Sequence, residues 1–353
     1  MQKQNRFCSE VGIQYPIIQA PMAGVATPRL AAAVSNAGGL GSLGIGASDA
    51  ESAKQRIEET RALTDQPFNV NVFCHEPAIR NQQAENAWLT HLSPLFAELD
   101  MAPPAKLNEI YKSFIEDDDV LEMLLSTKPA VVSFHFGLPP GETISALKKA
   151  GIYTIATATN PDEAHLIERS GVDAIVAQGI EAGGHRGVFN VDSRDEKLST
   201  SVLTGKLAQA CDLPIIAAGG IVDGMGIKAA MSLGADAAQL GTAFILCPES
   251  AASDDYRAAL KSDRSLKTQL TSSISGRPAR GIVNRLITHC QSLEDAIPAS
   301  YPLAYDAAKK LHNAASIKGI NEFAAYWSGQ GAPIKRELPA EDLIRLLVKE
   351  SGL

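Results

Sequence analysis

Residues 153–179 read YTIATATNPDEAHLIERSGVDAIVAQG. Two runs rich in Val, Ile, Ala and Thr, beginning at Tyr153 and Ala174, flank a segment that opens on Asn160-Pro161 and stops at Gly171. Asn before Pro is a helix start, because the side chain caps the first amides and Pro presets the first helical φ. Gly is the usual residue just past a helix end. The flanking runs carry few charges and do not alternate with polar residues, so they read as strands buried on both faces, as in parallel sheets. Strand, helix, strand at this spacing is a βαβ unit.

The rhythm extends in both directions. Eight apolar runs end in Gly, Asn, Gln or His: PIIQAPMAG from Pro16, GLGSLGI from Gly39, PFNVNVF from Pro67, AVVSFHFG from Ala130, YTIATAT from Tyr153, AIVAQG from Ala174, PIIAAGG from Pro214 and AAQLGTAFI from Ala237. Helical segments lie between most of them, among them TPRLAAAVSNAGG, with Thr27 as N-cap and Gly38 past the end, and DGMGIKAAMSLG. Eight βα units predict an α/β fold, a closed (β/α)₈ TIM barrel of about 250 residues, ahead of an open doubly wound sheet. The barrel is assigned to residues 1–245, with a polar helical insertion at 75–129. Residues 246–353, which include EDLIRLLVKESG and few strand candidates, are read as a C-terminal helical segment capping the barrel mouth.

The 353 residues are 45% apolar and 20% charged with a formal charge of -8, ordinary for a globular protein with a sizeable core. Asp and Glu are scattered apart from Asp117 to Asp119, and no basic stripe exists to follow a phosphate backbone, so nucleic acid is not expected as a partner. No signal-peptide pattern and no 18-residue apolar run is present, so no membrane association is expected. Five widely spaced cysteines, at 8, 74, 211, 247 and 290, include no CxxC pair, which argues against a disulfide framework or zinc site and for a reducing cytoplasm. A homodimer is compatible with all of this.

In such a barrel the chemistry sits at the C-terminal strand ends. Those ends supply Ala20, Pro21, Met22 and Gly24; Asn69 and Asn71; Ser133 and His135; Thr157 and Thr159; Gln178; Gly219 and Gly220; and Gln239, Gly241 and Thr242. The ring is polar, glycine-rich and nearly free of carboxylates. Glycines at the seventh and eighth ends are placed to cradle a phosphate with backbone amides. Asn71 and Gln178 can meet the edge of a heteroaromatic ring without charge. Flavin mononucleotide has this layout, and neither a Lys-bearing P-loop nor a G-x-G-x-x-G after the first strand suggests ATP or a dinucleotide.

After the sixth run comes EAGGHRG, residues 181–187. Gly183 and Gly184 let the backbone approach a planar ligand, placing His185 over it. An imidazole with a pKa near 6.5 can take a proton from a carbon acid at neutral pH, so His185 is the expected base. His91, His165, His289 and His312 lie on helical or terminal segments. Cys74-His75-Glu76 is too compact for a metal cluster, because neighbours on an extended chain face opposite ways, so no metal is expected. His135 either lines the pocket or fills the barrel.

QAPMAGVATPRLAAAVSNAGGLGSLGIGA, NVNVFCH, VSFHFG, QGIEAGGHRG, PIIAAGGI and QLGTAF together resemble the nitronate monooxygenases, formerly 2-nitropropane dioxygenases, from about Gln14 to Phe244. SGRPARG at Ser275 to Gly281 and YWSGQG at Tyr326 to Gly331 also look like features of that family. The resemblance implies a TIM barrel with noncovalent FMN that oxidises alkyl nitronates, and in some members neutral nitroalkanes, with O₂ to a carbonyl compound and nitrite. It places FMN contacts on Asn71, Gln178, Gly183, Gly220, Gln239, Leu240, Gly241 and Thr242, with Met22 near the flavin. Ala20, Pro21, Gly184 and Gly219 are added as neighbours at the same strand ends. His185 matches the catalytic histidine, and Met22, His135 and Phe136 would line a small alkyl pocket. The GG-L and EAGGH-G patterns also resemble FMN-dependent enoyl-acyl-carrier-protein reductases that use NADH. QAPMAG in place of a QGGM-type opening, with FCH and SFHFG, sides with the monooxygenases.

Overall fold

The computed structural model describes residues 5–291 and 297–353. Eight parallel strands follow the eight apolar runs: β1 (Ile17–Gln19), β2 (Gly41–Gly44), β3 (Phe68–Phe73), β4 (Val131–His135), β5 (Tyr153–Ala158), β6 (Ala174–Gln178), then β8 (Ile215–Ala218) and β9 (Ala237–Leu240). β7 (Gly184–His185) is a two-residue strand outside this sheet. The order around the sheet is β2-β3-β4-β5-β6-β8-β9-β1. A bridge between Ile18 and Leu40 closes the circle, with Leu40 N–H donating to Ile17 O at 2.9 Å and Gln19 N–H to Leu40 O at 3.0 Å. The fold is a TIM barrel.

Both strand faces are buried, which is why the runs are continuously apolar. Ile18, Leu40, Val131, Ile155, Val176 and Ile216 fill the interior with Phe7 of the N-terminal helix Arg6–Val11. Their sequence neighbours Val132, Ile175 and Ile215 pack outward under the helices, since successive side chains on a strand face opposite ways. Helix punctuation works as the residue types dictate. The Thr27 hydroxyl accepts from Leu30 N–H and Asn160 Oδ1 from Glu163 N–H. Gly171, at φ 81°, ends the helix Pro161–Ser170.

Three features depart from the sequence reading. The eighth run stops being a strand at Leu240, and Thr242–Ile245 is a short helix. The 75–129 insertion includes the barrel's own helix Asp118–Thr127, which packs on Ala50–Arg61, so the added part is the stretch around Gln82–Ala97. The segment after 245 is not wholly helical: it carries β10 (Thr268–Thr271) and β11 (Ala279–Ile282), an antiparallel pair. Nor is all of it a cap. Its last helix, Ala340–Ser351, sets Leu343, Ile344 and Leu347 against Leu30, Val34 and Ile227 and so completes the outer ring. Short strands with arginine and glycine, such as ARGI at 279–282, carry too little alternation to be recognised in sequence.

The added helix Gln82–Ala97 docks on Leu303–Ile317 through Trp88, Leu92 and Phe96, packed with Leu303, Ala307 and Leu311. Trp88 is fully buried. Trp88→Ala is expected to cost about 3–5 kcal/mol, lowering Tm by roughly 2–4 °C per kcal/mol in a thermal melt. An unchanged Tm would show that this helix is not docked as described.

Candidate active site

The loop after β6 does not hang free over the barrel. Gly184 and His185 form β7, paired antiparallel with Arg280 and Ala279 of β11, and Arg186 N–H donates to Pro278 O at 2.8 Å. From the barrel side, Gln178 Nε2 and His135 Nε2 both donate to the His185 carbonyl, at 3.0 and 3.2 Å, and Gln178 Oε1 accepts Gly187 N–H at 2.8 Å. Since a carbonyl only accepts, His135 carries its proton on Nε2, and its Nδ1 receives the Thr157 hydroxyl at 3.2 Å. Arg186, 1% exposed, forks onto Asp195 at 2.9 and 3.0 Å and donates to Gln178 O at 2.8 Å. Arg280 reaches Ile180 O at 3.0 Å. His185 is therefore fixed from both the barrel and the C-terminal segment.

Above the barrel mouth lies a cavity of about 410 Å³, a size suited to a small-molecule or cofactor site. Ala20, Pro21, Met22, Asn71, His135, Phe136, Gln178, Gly183, Gly184, His185, Gly219, Gly220, Gln239, Gly241 and Thr242 all line it. Leu240, expected among the cofactor contacts, is not brought in. Its side chain is fully buried with Ile17, Leu30 and Phe244 outside the barrel, because the alternation along β9 turns it away from the interior.

The reasons for several residues also differ from the sequence reading. A Cβ on Gly183 would lie 2.5 Å from Gly329 N and 2.6 Å from Ser328 C, so this glycine makes room for the C-terminal segment rather than for a flat ligand. Gly184 needs its φ of 76° and has open space where a Cβ would be. Gln178 spends its carbonyl oxygen on the loop. Asn71 gives Nδ2 to Ser133, at 3.1 Å to the carbonyl and 2.9 Å to the hydroxyl, which leaves Oδ1 to accept. Glu181 holds the start of the helix Thr200–Ala210 through Thr200 N–H and Oγ1, at 2.9 and 2.8 Å.

At the glycine-rich rim, Gly220 and Gly241 meet a third stretch, Ser328 to Gly331, in which Gly329 N–H donates to Thr242 Oγ1 at 3.0 Å and Gln330 N–H to Glu181 O at 3.0 Å. Among the described residues no carbonyl accepts from the amides of Gly220, Gly241 or Gly331. Three free amides at one rim suit an anionic group such as a phosphate.

The opposite wall is aromatic and was mostly missed in the sequence. Tyr111, Tyr256, Tyr301, Tyr305 and Trp327 line the cavity with Lys309. Around His185, ring centroids lie at 5.1 Å for Trp327, 5.6 Å for Phe136, 5.7 Å for Tyr301 and 6.1 Å for Tyr305. Tyr305 and Lys309 lie four residues apart on the helix Leu303–Ile317 and so share one face of it, a spacing that could have signalled a site, while Tyr301 comes from the turn just before that helix. Phe136 is a non-glycine residue at φ 76°, a strain of about 1–3 kcal/mol. Its ring is wedged between His135 at 4.5 Å and the Arg277 guanidinium at 4.4 Å.

Among the described residues no carboxylate lines the cavity, and burial governs its ionisation. Desolvation, then His135, Arg277 and His75, pushes the pKa of His185 down to about 3. Desolvation also takes His135 to about 4, despite its bond to the His185 carbonyl, and His75 to about 4. Burial raises Tyr111 and Tyr305 to about 12, so their phenols stay protonated. The imidazole is therefore neutral, below the pKa of 6.5 assumed from sequence. It would gain a proton only alongside an anion formed next to it, which raises a neighbouring base.

The family model for nitronate monooxygenase matches residues 5–350. The chain is 54% identical over 346 residues to a nitronate monooxygenase of Pseudomonas aeruginosa, covering 98% of this chain and 99% of that one. Among solved structures, it resembles a nitroalkane oxidase from Streptomyces ansochromogenes with TM-score 0.90 and 40% identity, 98% of each chain being covered. FabK from Thermotoga maritima resembles it with TM-score 0.77 and 30% identity, over 99% of this chain and 97% of that one.

Folded, His75, His135 and His185 stay neutral down to about pH 4, 4 and 3, while unfolded histidines protonate near 6.5. The unfolded state then binds more protons below pH 6.5, so stability is full above that pH and is lost as pH falls towards 4. Tm is expected to fall between pH 7 and 4.5, with a shallower slope for His135→Asn. Equal slopes would show that His135 does not resist protonation.

Proposed function

Because the chain belongs to the nitronate monooxygenase family, we propose that this enzyme holds FMN across its barrel mouth and oxidises alkyl nitronates, and neutral nitroalkanes, with O₂ to a carbonyl compound and nitrite. One observation carries the reading. A neutral, rigidly held imidazole shares a cavity, without a carboxylate among its described lining residues, with a rim of free backbone amides and a wall of protonated phenols.

The residues present fit FMN. Gly220, Gly241, Thr242 and Gly331 would hold the phosphate, with Gly219 setting the turn before them. Asn71 Oδ1 is an uncommitted acceptor for a ring N–H, and Gln178 keeps one amide hydrogen beyond its bond to His185. Ala20, Pro21, Met22 and Gln239 line the barrel side, with Gly183 and Gly184 carrying the loop above. Bound FMN would supply electron acceptance from the substrate and delivery to O₂.

The chain's own part is binding and proton handling. Tyr111, Tyr301 and Tyr305 stay protonated and offer hydroxyls to the two oxygens of a nitronate, with Lys309 adding positive charge at the edge. His185 takes the α-proton when the substrate arrives as a neutral nitroalkane, and the nitronate then stands beside the imidazolium as its counter-ion. Phe136 and Trp327 exclude water from that pair. We assign residues 1–245, with the helix Ala340–Ser351 completing the outer ring, to the FMN-binding barrel and the rest of the C-terminal segment to its cover, and place the reaction in a reducing cytoplasm, which five unpaired cysteines support. The NADH-dependent enoyl reductase reading is not adopted, since the family model over residues 5–350 and the 54% identical Pseudomonas relative are both nitronate monooxygenase.

His185→Asn is expected to keep its flavin and lose about 10²–10⁴-fold in kcat/KM with neutral nitroalkanes, with a smaller loss on preformed nitronates. Steady-state oxygen consumption on both substrates is the measurement. Equal losses would mean that His185 is not the proton acceptor.

A further inference from the structure

Ser275 lies on the turn between β10 and β11, fully buried, within SGRPARG. Its hydroxyl oxygen is 2.8 Å from His185 Nε2, 3.1 Å from the Arg277 carbonyl oxygen and 3.3 Å from the Arg277 amide nitrogen. A serine hydroxyl has one proton to give and two lone pairs to share. The Arg277 carbonyl can only accept and the Arg277 amide can only donate, so together they use the proton and one lone pair. The remaining lone pair faces Nε2, and the contact is a hydrogen bond only if Nε2 carries the hydrogen. Were the serine proton turned to Nε2 instead, the Arg277 carbonyl would lose it, and among the described residues nothing else donates to that carbonyl. A buried acceptor left unpaired is the costlier arrangement.

We infer that Ser275 is a positioning residue that holds His185 as the Nε2–H tautomer, leaving Nδ1 as the atom that accepts the substrate's proton. Nδ1 takes no hydrogen bond among the described residues and, unlike both ring nitrogens of His75, is not shut away from solvent in a ring that lines the cavity. In the step this assigns, the α C–H bond of a neutral nitroalkane breaks and its proton goes to the Nδ1 lone pair. The electron pair moves onto the nitro group to give the nitronate. Nε2–H stays on Ser275 throughout, so the ring does not rotate between the neutral and protonated forms.

The surroundings suit a base that is neutral until it reacts. His135 faces the ring from β4, His75 from the segment after β3, Arg277 from the turn that holds Ser275, and Tyr301 and Tyr305 from the C-terminal segment. None of these is a carboxylate, so the nitronate being formed is the anion that stabilises the imidazolium. Arg277 strengthens that dependence. It is 5% exposed, its guanidinium reaches the Val188 carbonyl, and its Nε has no partner.

The assignment rests on reading His185 as the base, and the test separates the two. In the holoenzyme labelled with ring-¹⁵N histidine, with the His185 signals identified by their loss in His185→Asn, Nε2 should show the protonated and Nδ1 the unprotonated shift at neutral pH. Ser275→Ala should mix the tautomers and lower kcat on neutral nitroalkanes roughly 10-fold or more, more than on preformed nitronates. Ser275→Thr, which keeps the hydroxyl, should recover the wild-type spectrum and ratio. A protonated Nδ1 in the wild type overturns the inference. An Nε2–H tautomer with neutral-nitroalkane turnover undiminished in His185→Asn would keep the tautomer and overturn the base.

Discussion

The pairing of two residues, Gly184 and His185, with Ala279 and Arg280 is the constraint on which the site depends. A loop after a barrel strand is ordinarily free to move. This one is made into an edge strand of a small antiparallel sheet whose other strands come from nearly a hundred residues later, and its carbonyl is tied to the barrel by Gln178 and His135. The His185 ring is thus positioned by rigid elements on both sides, which is what pre-organisation requires. It also explains why the C-terminal segment cannot be treated as a detachable cap: Ser275, Tyr301, Tyr305 and Trp327 all belong to it, and each touches or orients His185.

The electrostatic character follows from the same enclosure. With no carboxylate among its described lining residues and with a buried guanidinium close by, the cavity disfavours a second positive charge and keeps His135 and His185 neutral. An anionic substrate entering such a site meets hydroxyls and Lys309. The arrangement suits chemistry in which the substrate carries the negative charge and a bound flavin carries the electrons.

The barrel was legible because its signals are local. Eight doubly buried strands must be apolar throughout, and caps such as Thr27, Asn160 and Gly171 act within a turn of themselves. The strand-end residues were legible for the same reason, since position along a parallel strand decides what reaches the mouth. What sequence could not show was contact at long range. Gly183 was read as space for a ligand, whereas its neighbour is the backbone of Ser328 and Gly329. Leu240 was carried over with the motif around it, although alternation along β9 points it outward. β11 was invisible because ARGI is strand only by virtue of what it pairs with, and the aromatic wall because Tyr111, from between β3 and β4, meets Tyr256, Tyr301, Tyr305 and Trp327 of the C-terminal segment only through the fold.

The most direct measurement is an anaerobic titration of the purified protein with ethyl nitronate and, in parallel, with NADH, following the flavin absorbance. The account predicts a yellow protein whose flavin is bleached by the nitronate and little changed by NADH. A colourless protein that does not take up FMN, or a flavin bleached rapidly by NADH and inert to nitronate, would contradict it.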